Sequence, residues 1–234
     1  MLRVAVAGAM GRMGQLACEA IKRAPDLEYA GGFARAVDSE NAVYDNLGEL
    51  LDEQRPGVLV DFTARPATQN SARLALKRGV HPVIGSSEWN DIERAELAAL
   101  CEAEGIGALL VPNFAIGAVL MTRFAEQAAR FFPSIEILEM HREDKRDKPS
   151  GTAAATAKRI ASGGGPADVP IHSVRMRGLL AHQEVPLGNT GELLTIRHDS
   201  FSRESFVEGI LLAVRKVGGV RGLQIGLDAF LEAS

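Results

Sequence analysis

The chain opens on a run of β-branched and small apolar positions, LRVAVAG at residues 2–8. A segment with helical spacing follows, MGQLACEAIKRA at 13–24, with Leu16, Ala17, Ala20 and Ile21 on one face. The alternation continues through the first half. LEYAGGF (27–33) reads as a strand, NLGELLD (46–52) as a short helix, GVLVDFT (57–63) as a strand, NSARLALKRG (70–79) as a helix and HPVIGSS (81–87) as a strand. A long amphipathic helix, DIERAELAALCEAEG (91–105), leads to a last strand in GALLVPNF (107–114). Apolar strands separated by helices are what parallel βαβ units require, because parallel neighbours are joined only by a crossover. The first half therefore predicts an α/β fold, a doubly wound, Rossmann-like parallel sheet.

Beyond Phe114 the pattern changes. A helix runs from about Gly117 to Phe131, and SIEILEMH (134–141) reads as one strand with Ile135, Ile137 and Met140 inward. A second helix begins near Ser150 and stops at the breaker cluster Gly163, Gly164, Gly165, Pro166. HSVRMRGLL (172–180), AHQEVPLG (181–188) and GELLTIRHD (191–199) read as strands joined by turns, hence a mixed or antiparallel sheet. Helical periodicity returns from Arg203 to Val217. The prediction is a nucleotide-binding domain built from residues 1–114 and 203–234, with an α+β domain, 115–202, inserted.

Composition sets limits on this picture. With 234 residues, 46% hydrophobic and 24% charged, the chain can bury a sizeable core. A net charge of −4 argues against a nucleic-acid or anionic-membrane surface, so any anion site must be local. No stretch approaches a membrane span, and glycine interrupts the N-terminus too early for a signal peptide. Cys18 and Cys101 sit far apart in apolar-periodic segments, which reads as reduced core thiols in a cytoplasmic protein.

Two motifs carry chemistry. The first is Gly8, Ala9, Met10, Gly11, Arg12, Met13, Gly14, a G-x-x-G-x-x-G loop between a strand and a helix. Glycine permits a tight turn and close backbone approach, and the helix start offers free N–H groups to a pyrophosphate. At the end of the second strand, where an acidic residue would hold the ribose of NAD, stand Ala34 and Arg35. A guanidinium suits the extra phosphate of NADPH. Asp38 competes for the ribose, which leaves NADH open. The second motif is EMHREDKRDKPSGTAAAT at 139–156. Pro149 turns the chain away from helix and Ser150 is a natural N-cap, so Gly151 and Thr152 begin a helix whose first N–H groups form an anion site. Lys145 adds a cation and His141 a group that titrates near neutral pH. The combination suits a small anionic substrate that also needs a proton. His81, His172 and His182 stand at no metal-ligand spacing and read as structural, with no metal predicted.

These motifs together resemble the dihydrodipicolinate reductase (4-hydroxy-tetrahydrodipicolinate reductase) family. The resemblance rests on VAVAGAMGRMG, VDFT at 60–63, GSS at 85–87, PNFAIG at 112–117, EMHREDKRDKPSGTA and GELLTIRHDSFSRESF, in that order along nearly the whole chain. It implies that His141 donates a proton and that Lys145 is catalytic, with Ser150, Gly151 and Thr152 on a substrate carboxylate. It places nucleotide contacts on Gly8 through Met13, on Ala34 and Arg35, on Gly85, Ser86 and Ser87 near the nicotinamide, and on Val111, Pro112, Asn113 and Phe114. The implied reaction passes a hydride from NAD(P)H to a cyclic dicarboxylate imine. The family's inserted domain also carries its tetramer contacts, so a homo-oligomer is expected. Three positions depart from the family pattern. Arg142 replaces a second histidine, where it can still hold a carboxylate; Glu88 replaces the last glycine of G-T-T-G; and Ala115 and Val119 replace polar residues. Two alternatives stand beside this reading: a reductase of another small dicarboxylate imine, and a catalytically silent dinucleotide-binding sensor.

Overall fold

The structure, a computed structural model, describes every residue except 39, 87, 88 and 232–234. The chain runs through β1 (Leu2–Ala7), α1 (Arg12–Arg23), β2 (Leu27–Phe33), β3 (Val43–Tyr44), α2 (Leu47–Gln54), β4 (Val58–Asp61), α3 (Ala67–Leu76), β5 (His81–Ile84), α4 (Asp91–Glu104) and β6 (Ala108–Leu110). It continues with α5 (Ile116–Ala129), β7 (Ser134–Ile135), β8 (Ile137–His141), α6 (Gly151–Ser162), β9 (Ile171–Arg175), β10 (Ala181–Asn189) and β11 (Glu192–Ser200), and closes with α7 (Val207–Val217) and β12 (Leu223–Ile225). Two compact units result, one of residues 1–114 and 206 onward, the other of 115–205.

The first unit holds a seven-stranded sheet in the order β12-β6-β5-β4-β1-β2-β3, with every pairing parallel. Both faces are covered, which explains why β1 is apolar at four successive positions, Val4, Ala5, Val6 and Ala7. Val4 and Val6 face a cluster with Ala17, Ala20 and Ile21 of α1 and Ile210, Ala213 and Val214 of α7. Ala5 and Ala7 face the other way, against Leu50, Leu51 and Ala75 of α2 and α3. α4 is framed by a capping box between Asn90 and Glu93 and by Gly105 at φ 67°. The predicted helix at 70–79 lies earlier, at 67–76, because Gly79 turns the chain at φ 73° and Val80 closes back onto the Ala75 carbonyl. The two-residue β3 was too short for a periodic signal.

The second unit holds the sheet β11-β10-β8-β9, with β7 pairing beside β8 on β10. β10 is antiparallel to its neighbours and β8 is parallel to β9. α5 and α6 cover one face, where Ala125, Ala129, Ala153 and Ile160 pack on Ile135, Ile137, Val185 and Leu187. Here the structure corrects the sequence reading. SIEILEMH is two strands broken at Glu136, whose N–H turns to the Pro186 carbonyl. The inward positions continue as 135, 137 and 139, so the buried residue is Glu139 at 0% exposure, and Met140 lies on the other face. The strand expected over 172–180 ends at Arg175, ahead of a turn at Gly178 with φ 86°. The helix expected from Arg203 begins as a 3₁₀ turn, Arg203–Phe206, before α7. Among the described residues, no helix is long and apolar enough to cross a membrane.

Candidate active site

In the first unit, the expected dinucleotide residues gather at the carboxyl ends of neighbouring strands. The order of chain connection reverses between β1 and β4, the point where open parallel sheets leave a crevice. Gly8 leaves β1 at φ 78°, and its N–H donates to the Phe33 carbonyl at 2.8 Å. Gly11 caps α1 without a side-chain hydrogen bond, so no cap side chain takes the backbone N–H groups of the first turn, which holds Arg12 and Met13, an arrangement that suits an anion. Ala9 is buried and Met10 half exposed. Gly14 is fixed by contact: a Cβ there would stand 2.0 Å from the Gly8 carbonyl oxygen.

Ala34 and Arg35 follow β2, with the Ala34 N–H on the Tyr44 carbonyl. Arg35 is exposed, and no described residue forms an ion pair with it. Asp38 is already engaged, its carboxylate accepting from the Asn41 side chain at 2.8 Å and from the Asn41 N–H at 3.2 Å. Gly85 follows β5, and its N–H donates to the Asp61 carbonyl at 2.8 Å. A Cβ on Gly85 would meet the Phe62 ring at 2.5 Å and the Phe114 ring at 3.1 Å, and those rings pack edge to face at 5.5 Å. Ser86 is half buried; Ser87 and Glu88 lie outside the described residues. Val111 is buried beyond β6, its N–H on the Ile84 carbonyl, with Pro112 exposed, Asn113 half buried and Phe114 buried after it.

In the second unit, β8, the loop after it and the start of α6 form one cluster. His141 ends β8, its side chain 14% exposed, with Nδ1 2.5 Å from the Glu139 carboxylate. Arg175, opposite His141 on β9, clasps the same carboxylate through Nη1 at 2.8 Å and Nη2 at 2.7 Å. Burial alone would push the Glu139 carboxyl up; hydrogen bonds from Arg175, Ser173 and His141 overcome that and hold its pKa down to about 2. Burial pushes His141 below its ordinary value, Glu139 pulls it back, and Lys145 and Arg175 add to the depression. Lys145 Nζ holds both oxygens of Asp147 at 2.8 Å, and Arg142 pairs with Asp144 at 2.7 Å.

Ser150 caps α6 as expected, its hydroxyl accepting from the Ala153 N–H at 3.2 Å. Its own N–H is taken, donating to Glu139 at 3.3 Å. Gly151 is exposed with open space beside its Cα, and Thr152 is half buried.

Models of the N-terminal and C-terminal regions of dihydrodipicolinate reductase match residues 2–114 and 117–231. The chain belongs to the dihydrodipicolinate reductase family. The 4-hydroxy-tetrahydrodipicolinate reductase of Mycolicibacterium smegmatis is 43% identical, with both chains covered in full. That of Moorella thermoacetica is 40% identical over 99% of this chain and 98% of its own. The dipicolinate-bound dihydrodipicolinate reductase of Paenisporosarcina sp. TG-14 superimposes at a TM-score of 0.89, with 35% identity, over 99% of this chain and 100% of that one.

Placed in the dihydrodipicolinate reductase family, the chain still holds residues within these clusters that sequence reasoning passed over. Glu139 and Arg175 are two. Asp61 is a third: it ends β4 buried, and one of its oxygens accepts from both the N–H and the hydroxyl of Thr63 at 2.6 Å. Burial pushes its carboxyl up. That turn sets the Phe62 backbone and the Thr63 methyl against Gly8, 3.2 Å and 3.4 Å from where a Gly8 Cβ would stand. His81, His172 and His182 each meet a protein partner, the Gly107 carbonyl, Glu136 and Asp199 respectively.

The depressed Glu139 pKa gives a stability prediction. A carboxyl whose folded pKa, about 2, lies below the ordinary 4.5 adds stability that is fully present above about pH 4.5 and is lost as pH falls toward 2. Wild type is therefore expected to lose stability steeply below pH 4.5, and Glu139→Gln to show a flatter acid limb from a lower plateau. Urea unfolding at a series of pH values measures both; parallel limbs would remove Glu139 from the acid response.

Proposed function

We propose that this chain acts as a 4-hydroxy-tetrahydrodipicolinate reductase, reducing a conjugated cyclic imine with two carboxylates to tetrahydrodipicolinate in lysine and diaminopimelate biosynthesis. The observation that carries the proposal is the cluster in residues 139–152: a histidine with one nitrogen tied to a carboxylate, a lysine four residues on, and an N-capped helix start. An imine flanked by carboxylates needs a proton donor and fixed positive charge, and this cluster supplies both. His141 provides the proton. Lys145 exchanges Asp147 for a substrate carboxylate, a small loss because a partly exposed pair contributes about 0–1 kcal/mol. Arg142 exchanges Asp144 in the same way. With the Ser150 N–H engaged by Glu139, the N–H groups of Gly151 and Thr152 take the carboxylate and Ser150 holds the turn.

The residues at the carboxyl edge of the first sheet fit a dinucleotide. Only glycine at position 14 leaves α1 close enough to the loop for its first N–H groups to reach a pyrophosphate. Gly8 through Met13 would hold that group, Ala34 and Arg35 the adenosine ribose and its phosphate, and Gly85, Ser86 and Val111 through Phe114 the nicotinamide end. The bound dinucleotide supplies the hydride. Residues 1–114 and 203–234 thus serve as the dinucleotide domain and 115–202 as the substrate and oligomerisation domain. A cytoplasmic homotetramer completes the proposal, assembled through the sheet face opposite α5 and α6, where Leu193 is 68% and Val174 39% exposed.

NADPH is the preferred cofactor in this proposal, because Arg35 is available to a phosphate while Asp38 is occupied by Asn41. Arg35→Ala is expected to weaken NADPH about 10- to 100-fold, the worth of a charge-assisted hydrogen-bond pair, and NADH by less than about twofold. Fluorescence titration with both cofactors decides it; equal weakening removes the phosphate role. The activity itself is tested by cofactor oxidation at 340 nm with the imine precursor delivered by its synthase. Tight dinucleotide binding without oxidation would point to a sensor or another substrate.

A further inference from the structure

Glu139 has no role in the reaction as proposed, yet its oxygens collect contacts from three elements. Oε2 meets His141 Nδ1 at 2.5 Å and Arg175 Nη1 at 2.8 Å. Oε1 meets Arg175 Nη2 at 2.7 Å and the Ser150 N–H at 3.3 Å. Arg175 donates further to the carbonyls of Lys145 at 3.2 Å and Asp147 at 2.6 Å, which pins the loop between β8 and α6 at two points. The two side chains are 0% and 6% exposed. Packed apolar residues of the same volume often hold two strands as well as a buried ion pair does, so the stability Glu139 adds does not by itself account for the pair. A carboxylate joined to the histidine, the lysine's loop and the helix cap is placed to organise all three.

Resting on the function proposed above, we infer that Glu139 and Arg175 are a positioning pair for proton transfer. Glu139 fixes His141 as the Nδ1–H tautomer, so that Nε2 is the nitrogen that exchanges protons. Arg175 neutralises Glu139 and locks the loop that carries Lys145.

The chemistry follows from the donor count. An ionised carboxylate only accepts, so His141 Nδ1 must bear the hydrogen in both protonation states of the ring. The imidazolium then has one proton to give, on Nε2. As hydride adds to the imine, the Nε2–H bond breaks and the proton goes to the substrate atom that gains the electron pair. Hydride and proton together add two hydrogens across the double bond, and the neutral ring is reprotonated from solvent. The charges facing His141 are Glu139 on its own strand, Arg175 on β9 and Lys145 on the loop; on β10 the opposed residue is Ala181.

The first test needs no variant. Nitrogen-15 spectra of histidine-labelled full-length wild type at pH 7.5 are expected to show His141 with Nδ1 protonated and Nε2 bare. An Nε2–H tautomer overturns the inference. The second test uses pH profiles of kcat/KM, whose fall with rising pH follows loss of the Nε2 proton. Glu139→Gln removes the attracting charge and is expected to move that limb about one pH unit lower, with kcat down about 100-fold. Arg175→Met removes the opposing charge and moves the limb higher, with substrate KM raised as the loop loosens. A merely structural pair would lower activity without moving the limbs in opposite directions, and unmoved limbs overturn the inference. Wild type that shows the Nδ1–H tautomer but never turns over the imine refutes the proposed reaction and leaves the His141–Glu139 arrangement standing.

Discussion

His141→Gln is expected to lower kcat by about 10²- to 10⁴-fold, the contribution of a positioned general acid, while dinucleotide Kd stays within about twofold. Glutamine separates chemistry from structure at this site. Its amide N–H can replace the imidazole Nδ1–H that Glu139 accepts at 2.5 Å, so the carboxylate, Arg175 and the Ser150 cap keep their partners. What the amide lacks is a proton that titrates. The wild-type profile supplies the sign: burial, helped by Lys145 and Arg175, sets the His141 pKa below 6.5 despite Glu139, so kcat/KM falls as pH rises through that lower value. The variant loses this dependence. Steady-state oxidation at 340 nm across pH measures both effects, and a variant at full rate would take His141 out of the reaction.

Gly14→Ala is expected to produce the second large effect, on the other unit. A methyl at position 14 falls 2.0 Å from the Gly8 carbonyl oxygen, 2.7 Å from its carbon and 2.8 Å from the Ala9 Cα. All three are backbone atoms, so no rotamer relieves the clash, and α1 must move away from the loop. Overpacking of this kind costs about 1–3 kcal/mol, or roughly 2–12 °C in Tm for a chain this long. Displacing the helix start should weaken NADPH at least about tenfold, since the loop and helix must act together on the pyrophosphate. Gly105→Ala is the control. Gly105 lies at the other kind of helix terminus, the C-cap of α4, at φ 67°, and its Cβ would meet nothing within 4 Å, so stability falls through backbone strain while cofactor affinity holds. Calorimetry and fluorescence titration on the two variants separate the cases; Gly14→Ala with native affinity would discard the close-approach explanation.

The parallel sheet was legible because burial on both faces forces apolar residues into successive positions, as at 4–7 in β1, 58–60 in β4, 82–84 in β5 and 108–110 in β6. The cap at Ser150 and the glycine loop were legible because each is a local device with a local cause. Glu139 was not. Its partner Arg175 lies 36 residues away, and a glutamate in a charged stretch looks solvated until β8 and β9 are paired. Period two from Ile135 and Ile137 does point to 139, but the apolar Met140 drew the inward assignment one position off. Asp61 was hidden differently: its carboxylate matters through a turn to Thr63 that has no sequence period. Arg142 and Lys145 were singled out for their charge, and the structure adds that each is paired with a neighbouring aspartate, Asp144 and Asp147 respectively.

The first unit is drawn from both ends of the chain, and this orders events during synthesis. Residues 115–205 are contiguous, so every strand of their sheet has been synthesised before β12 is made. The larger sheet must wait. Until α7 arrives, Val4, Val6, Val58 and Val60 lack the cover that Ile210, Ala213, Val214 and Val217 provide. The nascent chain thus holds a completed inserted segment while an apolar sheet face is still open on one side, an aggregation-prone interval of the kind chaperones manage. A message broken after codon 205 would freeze the protein in that interval, with the Glu139, His141 and Arg175 cluster fully synthesised and the apolar face of the larger sheet left without α7.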